Sequence, residues 1–259
     1  GGTMRETQKK TIAEISLEFE RADEIHVEDL CRTYKEDSRV GVRKLVTKAI
    51  KKKDALRIEW ERTKTLEIYE RRYEHLGYVC GIDEVGRGPL AGPVVAGAVI
   101  LPRDCRILYL NDSKQLSAAK REKLYDVIMN EAVSVGIGYR SPARIDEINI
   151  LQATYEAMRD AVSKLNPQPQ VLLNDAVTIP DILVQQVPLI KGDCRSVSIA
   201  AASIVAKVTR DRLMVKYDRM MPEYHLASNK GYGSAEHIEA LKKYGPSPIH
   251  RRSFITHFC

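Results

Sequence analysis

The sequence lacks the patterns of a disulfide-linked, zinc-binding or membrane-spanning protein. Its five cysteines are odd in number and far apart, and they form no C-x-x-C pair, so neither a disulfide framework nor a cysteine zinc site is predicted. No apolar run reaches the ~20 residues of a transmembrane helix. No charged-then-apolar signal sequence opens the chain. We therefore expect a cytoplasmic protein in a reducing compartment, without membrane association.

Glycine and proline are also scarce at the start of the chain, since residues 4–76 contain no proline and one glycine. This composition predicts helices, at Thr11–Glu24, Ser38–Lys53 and Asp54–Leu76. We assign residues 1–76 to an N-terminal helical extension. Within it, Gly1–Thr3 precede Met4 and resemble a cloning remnant.

The charge of the chain favours a polyanionic partner without proving one. The formal net charge is +6 and the sequence pI is about 9.0. Within the extension, Arg39–Lys53 carries seven bases and no acid, and these bases could follow nucleic-acid phosphates. The alternative is an amphipathic helix whose basic face is only solvated, with the buried stripe Val42, Leu45, Val46, Ala49 and Ile50.

After Gly77 the composition changes to β-branched runs separated by glycine and proline, which predicts a second domain over residues 77–259. The strand candidates are Tyr78–Ile82, Val94–Leu101, Ala132–Tyr139, Val171–Asn174 and Val184–Ile190. Helices are expected from Ser117 to Asn130, after Ser141–Pro142, over Val197–Val208 and after Ser234. The predicted fold is α/β, a mixed sheet flanked by helices, with a C-terminal helical region from about residue 215.

Acidic residues follow three of the apolar strand candidates. Asp83 and Glu84 follow the first strand, Asp175 follows the fourth, and Asp193 comes shortly after the fifth. Burying an isolated carboxylate is costly, so such acids need a partner or a metal. Carboxylates without a nearby histidine or cysteine cluster favour Mg²⁺ or Mn²⁺. The alternative is that Asp193 begins a helix and Asp175 lies in a turn.

Two glycine-rich loops are candidates for ligand contact. Val85–Pro93 has glycines that allow close backbone approach around Arg87, although an ordinary turn is the alternative and no Walker A sequence follows. Asn229–Gly233 places Tyr232 between two glycines, where its ring could stack on a sugar or a base. The alternative for Tyr232 is packing on its own domain.

The segment Gly81–Val95, GIDEVGRGPLAGPVV, resembles the opening block of bacterial ribonuclease HII. Further blocks follow in the order of that family: Asn111–Ser117, Asp146–Ile150, Asp175–Ala176, Lys191–Asp193, Ser196–Arg212 and Asn229–Gly233. The resemblance covers about residues 78–259 and is vague before Gly77. Arg87, rather than a lysine, at the centre of the first loop favours type HII over type HIII.

This resemblance implies a ribonuclease H-like fold and cleavage of the RNA strand of RNA–DNA hybrids. It also implies cleavage at single ribonucleotides in duplex DNA, leaving 3'-hydroxyl and 5'-phosphate ends. The implied catalytic and metal-binding acids are Asp83, Glu84, Asp175 and Asp193, with two Mg²⁺ or Mn²⁺ ions when substrate is bound. The implied substrate-binding residues are Gly86, Arg87 and Gly88 at the 2'-hydroxyl, Tyr232 at the RNA–DNA junction, and Ser113, Lys114 and Lys230 at phosphates.

Asp211 also lies in a matching block, but the neighbouring bases Lys207, Arg210 and Arg212 predict an ion pair instead of a metal ligand. The implied partners are RNA–DNA hybrid and ribonucleotide-containing DNA, and a monomer is expected. Two alternatives stay open at the level of sequence. One is another metal-dependent nuclease of the same fold, and the other is a non-catalytic nucleic-acid-binding protein whose acids form caps and ion pairs.

Overall fold

In the computed structural model, which describes residues 9–259, the chain forms two compact units. The first unit ends at Arg62, and the second extends from Thr63 to Cys259. The interpretation of Gly1–Thr3 and Met4 lies outside the described residues. The domain boundary expected at Gly77 stays a prediction.

The first unit is helical, as its lack of proline predicts. It contains α1 (Ile12–Arg21), α2 (Glu24–Tyr34) and most of α3 (Val40–Leu66). The side chains of Thr11 and Asp23 cap the first two helices by accepting backbone N–H groups. The break expected between Lys53 and Asp54 is wrong, because α3 continues through a position where neither glycine nor proline interrupts its hydrogen bonds.

The second unit begins with the end of α3, followed by α4 (Ile68–Tyr73) and a 3₁₀ turn (Glu74–Leu76). Glu70 accepts hydrogen bonds from the Ser196 hydroxyl at 2.5 Å and from the Ser198 N–H at 3.0 Å. Leu66 packs in the same apolar cluster as Val99. Residues 63–76 therefore contact the same core as the strands that follow.

A five-stranded mixed sheet forms the centre of this unit, as expected. Its strands are β1 (Val79–Val85), β2 (Val94–Ile100), β3 (Ser134–Arg140), β4 (Val171–Asp175) and β5 (Gln185–Leu189). Their order is β3-β2-β1-β4-β5, with β1 antiparallel to β2 and parallel to β4. Because Ile82 pairs with Asn174, the next residues, Asp83 and Asp175, come to the same edge of the sheet.

Four helices pack around the sheet: α5 (Ala118–Glu131), α6 (Pro142–Ile148), α7 (Ile150–Ser163) and α8 (Val197–Met220). Two more, α9 (Leu226–Asn229) and α10 (Ala235–Tyr244), belong to a separate apolar cluster with Met214 of α8. Residues of α7 and α8 belong to two different apolar clusters with the strands. The continuous helix expected after Ser141 is divided at Asn149, whose φ of 75° ends α6 and whose side chain caps α7.

Helix α8 is buried against β1 and β2, as its apolar sequence predicts. The Val197–Ala206 run is buried throughout. Gly81 makes the close approach possible, since a Cβ there would lie 2.1 Å from the carbonyl carbon of Ser198. The helix continues past position 215 to Met220. Within residues 9–259, no helix combines the length and apolar character needed to cross a membrane.

Candidate active site

The structure brings three of the four predicted acids together at one edge of the sheet. Asp83, Asp175 and Asp193 each offer a carboxylate oxygen, and these oxygens lie within 4.8 Å of one another. Asp83 lies in β1, Asp175 ends β4, and Asp193 lies in a 3₁₀ turn (Gly192–Cys194) before α8. The turn is fixed by the Gly192 N–H, which donates to Asp175 Oδ1 at 2.8 Å. Residues more than a hundred positions apart in sequence thus form one cluster.

Burial and like charge both act on this cluster. Asp83 is 6% exposed, and burial followed by the charges of Glu84 and Asp175 raises its pKa well above the usual range. Glu84, the fourth predicted acid, is adjacent, and its pKa is raised mainly by burial. Arg87 opposes that shift, since its guanidinium lies 3.9 Å from the Glu84 carboxylate. These carboxyl groups lie together without enough positive charge to compensate them.

Asp112 joins the edge of the cluster and was not among the predicted site residues. Its oxygen, one from Asp193 and the Cys194 sulfur form a second group within 4.8 Å. Burial, then the charge of Asp112, raises the pKa of Asp193 to about 6. The sequence gives little signal for Asp112, because it follows no strand candidate. Its carboxylate also accepts the Lys114 N–H at 3.1 Å.

The chemistry of the cluster fits a hard divalent cation. All donors of the predicted set are carboxylate oxygens, which Mg²⁺ and Mn²⁺ prefer. Glu84 Oε2 is buried and has no hydrogen-bond partner within residues 9–259, and a buried acceptor left unsatisfied in this way is costly. Asp83, Glu84, Asp175 and Asp193 are therefore the residues that could hold such a cation.

The glycine-rich loop after β1 lies beside the acids and meets the second loop. Gly86 has a φ of 86°, and a Cβ there would lie 2.3 Å from Arg210 Nε, so glycine is required. Arg87 and Gly88 are exposed. Among the described residues, a Cβ on Gly88 would have only Tyr232 Cε1 within 4 Å, at 3.9 Å. The two loops predicted to contact substrate thus converge between Gly88 and Tyr232, which is 41% exposed.

The three remaining candidates differ in their orientation. Lys114 is exposed. The Ser113 hydroxyl is buried and hydrogen-bonded to that of Ser203 at 2.8 Å, so it contacts α8 in this structure. Lys230 precedes the Tyr232 turn in a left-handed conformation with a φ of 53°, and its ammonium contacts the Ala227 carbonyl.

Asp211 forms ion pairs, as the sequence predicts. Its carboxylate lies 3.1 Å from the Lys207 ammonium and 3.8 Å from the Arg121 guanidinium. The partner Arg121 was not expected. The neighbouring Arg212 pairs instead with Glu122, and Arg210 turns into the interior.

Comparison with known proteins gives matches along almost the whole chain. Residues 80–257 match the Ribonuclease HII family, and residues 11–74 match the Ribonuclease HII N-terminal domain family. A ribonuclease HII of Lachnoclostridium phytofermentans is 63% identical over 244 residues, covering 94% of this chain and 96% of that protein. The ribonuclease HII of Clostridioides difficile is 49% identical and covers 96% of this chain and 98% of its own.

A solved structure agrees with the fold. The ribonuclease H2 of Pyrococcus horikoshii OT3 superposes with a TM-score of 0.58 at 31% identity, covering 68% of this chain and 93% of that one. The family matches, the identities and the mixed sheet lead to one conclusion. The chain belongs to the ribonuclease HII family and is a hydrolase that cleaves the RNA of RNA–DNA hybrids.

Proposed function

We propose that this enzyme cleaves at single ribonucleotides embedded in duplex DNA as well as in longer hybrids, leaving 3'-hydroxyl and 5'-phosphate ends. The observation that supports this most directly is the position of the acid cluster beside a glycine loop. Glu84 of the cluster and Arg87 of the loop are 3.9 Å apart. A ribose bound at the loop would therefore present its phosphodiester to the acids.

In this proposal Asp83, Glu84, Asp175 and Asp193 hold two Mg²⁺ or Mn²⁺ ions when substrate is bound. Such ions stabilise charge on the phosphate and the leaving 3'-oxygen and lower the pKa of a bound water. The carboxylates act as ligands and not as proton donors, so they must be ionised. Asp83 lies where β1 and β4 meet, close to Asp175 and Asp193, so its carboxylate would be a ligand at the centre of this cluster.

The two glycine-rich loops, Val85–Pro93 and Asn229–Gly233, form the loop half of the site and account for selectivity. The 2'-hydroxyl alone distinguishes a ribonucleotide from its deoxy neighbours. Selectivity therefore requires a small set of fixed polar groups that form hydrogen bonds with this hydroxyl. Gly88 lacks a side chain, and a Cβ there would project toward Tyr232 without meeting protein backbone. We assign the space between Gly88 and Tyr232 to the sugars at the junction, with Arg87, Lys114 and Lys230 available to phosphates.

The test uses three duplexes of one sequence, containing one ribonucleotide, a run of ribonucleotides or only DNA, with Mg²⁺, with Mn²⁺ or with EDTA. Cleavage of the first two substrates with either cation, and of none with EDTA, is expected. Failure on the single-ribonucleotide duplex alone would indicate a nuclease restricted to longer hybrids. Binding without cleavage under every condition would indicate a non-catalytic nucleic-acid-binding protein.

The basic part of α3 is proposed to add phosphate contacts. Its bases Lys44, Lys48, Lys51 and Lys52 are exposed, whereas Lys53 pairs with Glu28 at 3.3 Å. Replacing the four exposed lysines with glutamine should weaken binding and reduce the slope of log Kd against log salt by up to about 3.6, about 0.9 for each lost phosphate contact. Arg57→Gln, which removes a base paired with Glu61, is the control. An unchanged salt slope would mean that this face is only solvated.

A further inference from the structure

Two arginines in the second unit are buried without a carboxylate partner. Arg210, in α8, and Arg251, near the C-terminus, are both 0% exposed. Among the described residues, no acid forms an ion pair with either. An uncompensated buried charge is unfavourable, and burial lowers the pKa of both groups, that of Arg251 to about 9. Groups other than acids must therefore compensate the two buried guanidinium charges.

Backbone carbonyls replace the missing acids. Each guanidinium donates from its three nitrogens to three separate carbonyl oxygens. Arg210 donates to Pro93, Lys230 and Ala91 at 2.9, 2.6 and 2.9 Å, and Arg251 donates to Gly92, Arg87 and Gly86 at 3.0, 2.9 and 2.5 Å. Five of the six carbonyls belong to residues 86–93, the loop between β1 and β2. The three separate nitrogens of a planar guanidinium reach such a set, whereas a lysine has its three donors on one nitrogen and does not reproduce this geometry.

Holding these carbonyls also orients the adjacent N–H groups. In a trans peptide the C=O of one residue and the N–H of the next point in opposite directions. Because the carbonyls of Gly86 and Arg87 point inward to Arg251, the N–H groups of Arg87 and Gly88 point outward. Neither N–H has an acceptor among the described residues. The result is a pair of free donors on an exposed turn.

Arg210 connects this loop to the second one. It holds the Lys230 carbonyl, and its guanidinium carbon lies 5.8 Å from the centre of the Tyr232 ring. The Leu90 N–H also donates to the Gly231 carbonyl at 2.8 Å. The distance between Gly88 and Tyr232 is therefore determined by buried contacts on both loops.

We propose that Arg210 and Arg251 are positioning residues for ribonucleotide selection: Arg251 aims the Arg87 and Gly88 N–H groups at the ribose oxygen, and Arg210 fixes the Tyr232 turn against them. This inference rests on the proposed function. It assigns selectivity to residues that never contact substrate. It also gives the C-terminal segment a role, because Gly92 donates to the Ile249 carbonyl and Arg251 to that of Leu90.

The test separates selectivity from affinity by measuring binding in Ca²⁺, in the absence of Mg²⁺ and Mn²⁺. The Kd is determined for two duplexes that differ by one ribonucleotide, using wild type, Arg251→Lys and the exposed neighbour Arg252→Lys. Arg251→Lys should reduce the ratio of the two Kd values at least about tenfold, while affinity for all-DNA duplex changes little. Arg252→Lys should keep the ratio. A folded Arg251→Lys protein with an unchanged ratio would overturn the proposal.

A second measurement needs no variant. In the free wild-type protein, the amides of Leu90 and Gly92 should exchange slowly because both are bonded, and those of Arg87 and Gly88 should exchange rapidly until the ribonucleotide duplex binds. Rapid exchange at Leu90 and Gly92, or no protection of Arg87 and Gly88 on binding, would also overturn the proposal. Equal Kd values for the two duplexes with wild type would instead contradict the proposed function itself.

Discussion

The two halves of the site carry charge of opposite sign. The fold supplies hydrogen-bond partners for the positive charges of the loop half but not for all the carboxylates of the acid half. In the acid half (Asp83, Glu84, Asp175 and Asp193), Asp83 and Glu84 have raised pKa values, and Glu84 Oε2 has no hydrogen-bond partner in the described part of the chain. In the loop half, no described acid pairs with Arg210 or Arg251, yet each donates to three carbonyls. The satisfied charges hold the protein's own backbone, whereas the unsatisfied ones are available for a ligand.

This difference indicates how each half responds to its surroundings. Cations should stabilise the acid half, because they offset repulsion among its carboxylates. The loop half should keep its geometry without cations, because its hydrogen bonds are internal. Changes in the acid half should therefore affect turnover first, and changes in the loop half should affect selectivity first.

The largest effect is expected from Asp83→Asn. In the proposed cation site it removes a buried carboxylate ligand, which should lower kcat/KM more than about a thousandfold. The amide is isosteric, and lost repulsion should keep or raise the unfolding midpoint in metal-free buffer. Single-turnover cleavage and urea unfolding provide the two readouts, with the exposed Asp181→Asn as the control. Near-normal turnover of Asp83→Asn in Mg²⁺ would contradict the metal assignment.

A smaller effect is expected from Tyr232→Ala in the loop half. Stacking of an aromatic ring on a sugar or base is worth ~1 to 3 kcal/mol, or about tenfold to a hundredfold in kcat/KM. Cleavage of the single-ribonucleotide duplex should fall by that factor, and Tyr232→Phe should retain most of it. Tyr139→Ala, an exposed tyrosine on β3, is the control. An unaltered rate and substrate preference for Tyr232→Ala would remove Tyr232 from the site.

The sequence predicts the acid half better than the loop half for a physical reason. A carboxylate after an apolar run is conspicuous. Although β1 continues past the expected end at Ile82 to Val85, its parallel pairing with β4 still brings Asp83 and Asp175 to one edge of the sheet. The sequence around Arg210 does not indicate its burial, because its neighbours are charged and such a pattern is typical of a solvent-exposed position. Arg251 is followed by a second arginine that is exposed. Which arginine meets backbone carbonyls depends on tertiary contacts that no local pattern encodes.

The helices show the same limit. Helix α8 is predictable because its apolar run requires burial, and the strands are predictable because glycine and proline bound them. Asn149, in contrast, divides α6 from α7 through a positive φ, although the apolar spacing continues across it. Helix α2 depends on the Asp23 cap and has no buried residue of its own, so it has no buried stripe to indicate it.

In metal-free buffer the acid half should make stability fall as pH rises. Burial and Asp112 raise the folded pKa of Asp193 to about 6, above its unfolded value, and the pKa of Asp83 is also raised. The unfolded chain therefore ionises first, and about 1 to 3 kcal/mol should be lost between pH 4 and 7. The readout is the urea midpoint with EDTA, as wild type minus Asp193→Asn. Saturating Mg²⁺ should reverse the trend, and a difference that rises with pH in EDTA would contradict it.

The smallest effect, of opposite sign, is expected from two histidines behind the loop half. The Ser247 N–H donates to His250 Nδ1 at 3.0 Å, so neutral His250 carries its proton on Nε2. This Nε2–H donates to His237 Nε2 at 2.8 Å, and His237 Nδ1–H donates to the Tyr232 carbonyl at 2.8 Å. The chain of hydrogen bonds from Ser247 to Tyr232 requires both rings to be neutral.

Burial lowers the pKa of both rings, with that of His250 falling to about 4. The unfolded chain binds these protons near pH 6.5, so stability is full above that pH and about 1 to 2 kcal/mol is lost as pH falls toward 4. His250→Asn should reduce the loss of unfolding free energy between pH 6.5 and 4, whereas the exposed His257→Asn should leave this loss unchanged. Lower amide protection factors in residues 229–233 at pH 5 than at pH 7, corrected for intrinsic exchange rates, should accompany the loss in wild type. An equal loss of unfolding free energy below pH 6.5 in the two variants would show that the loop half does not depend on neutral histidines.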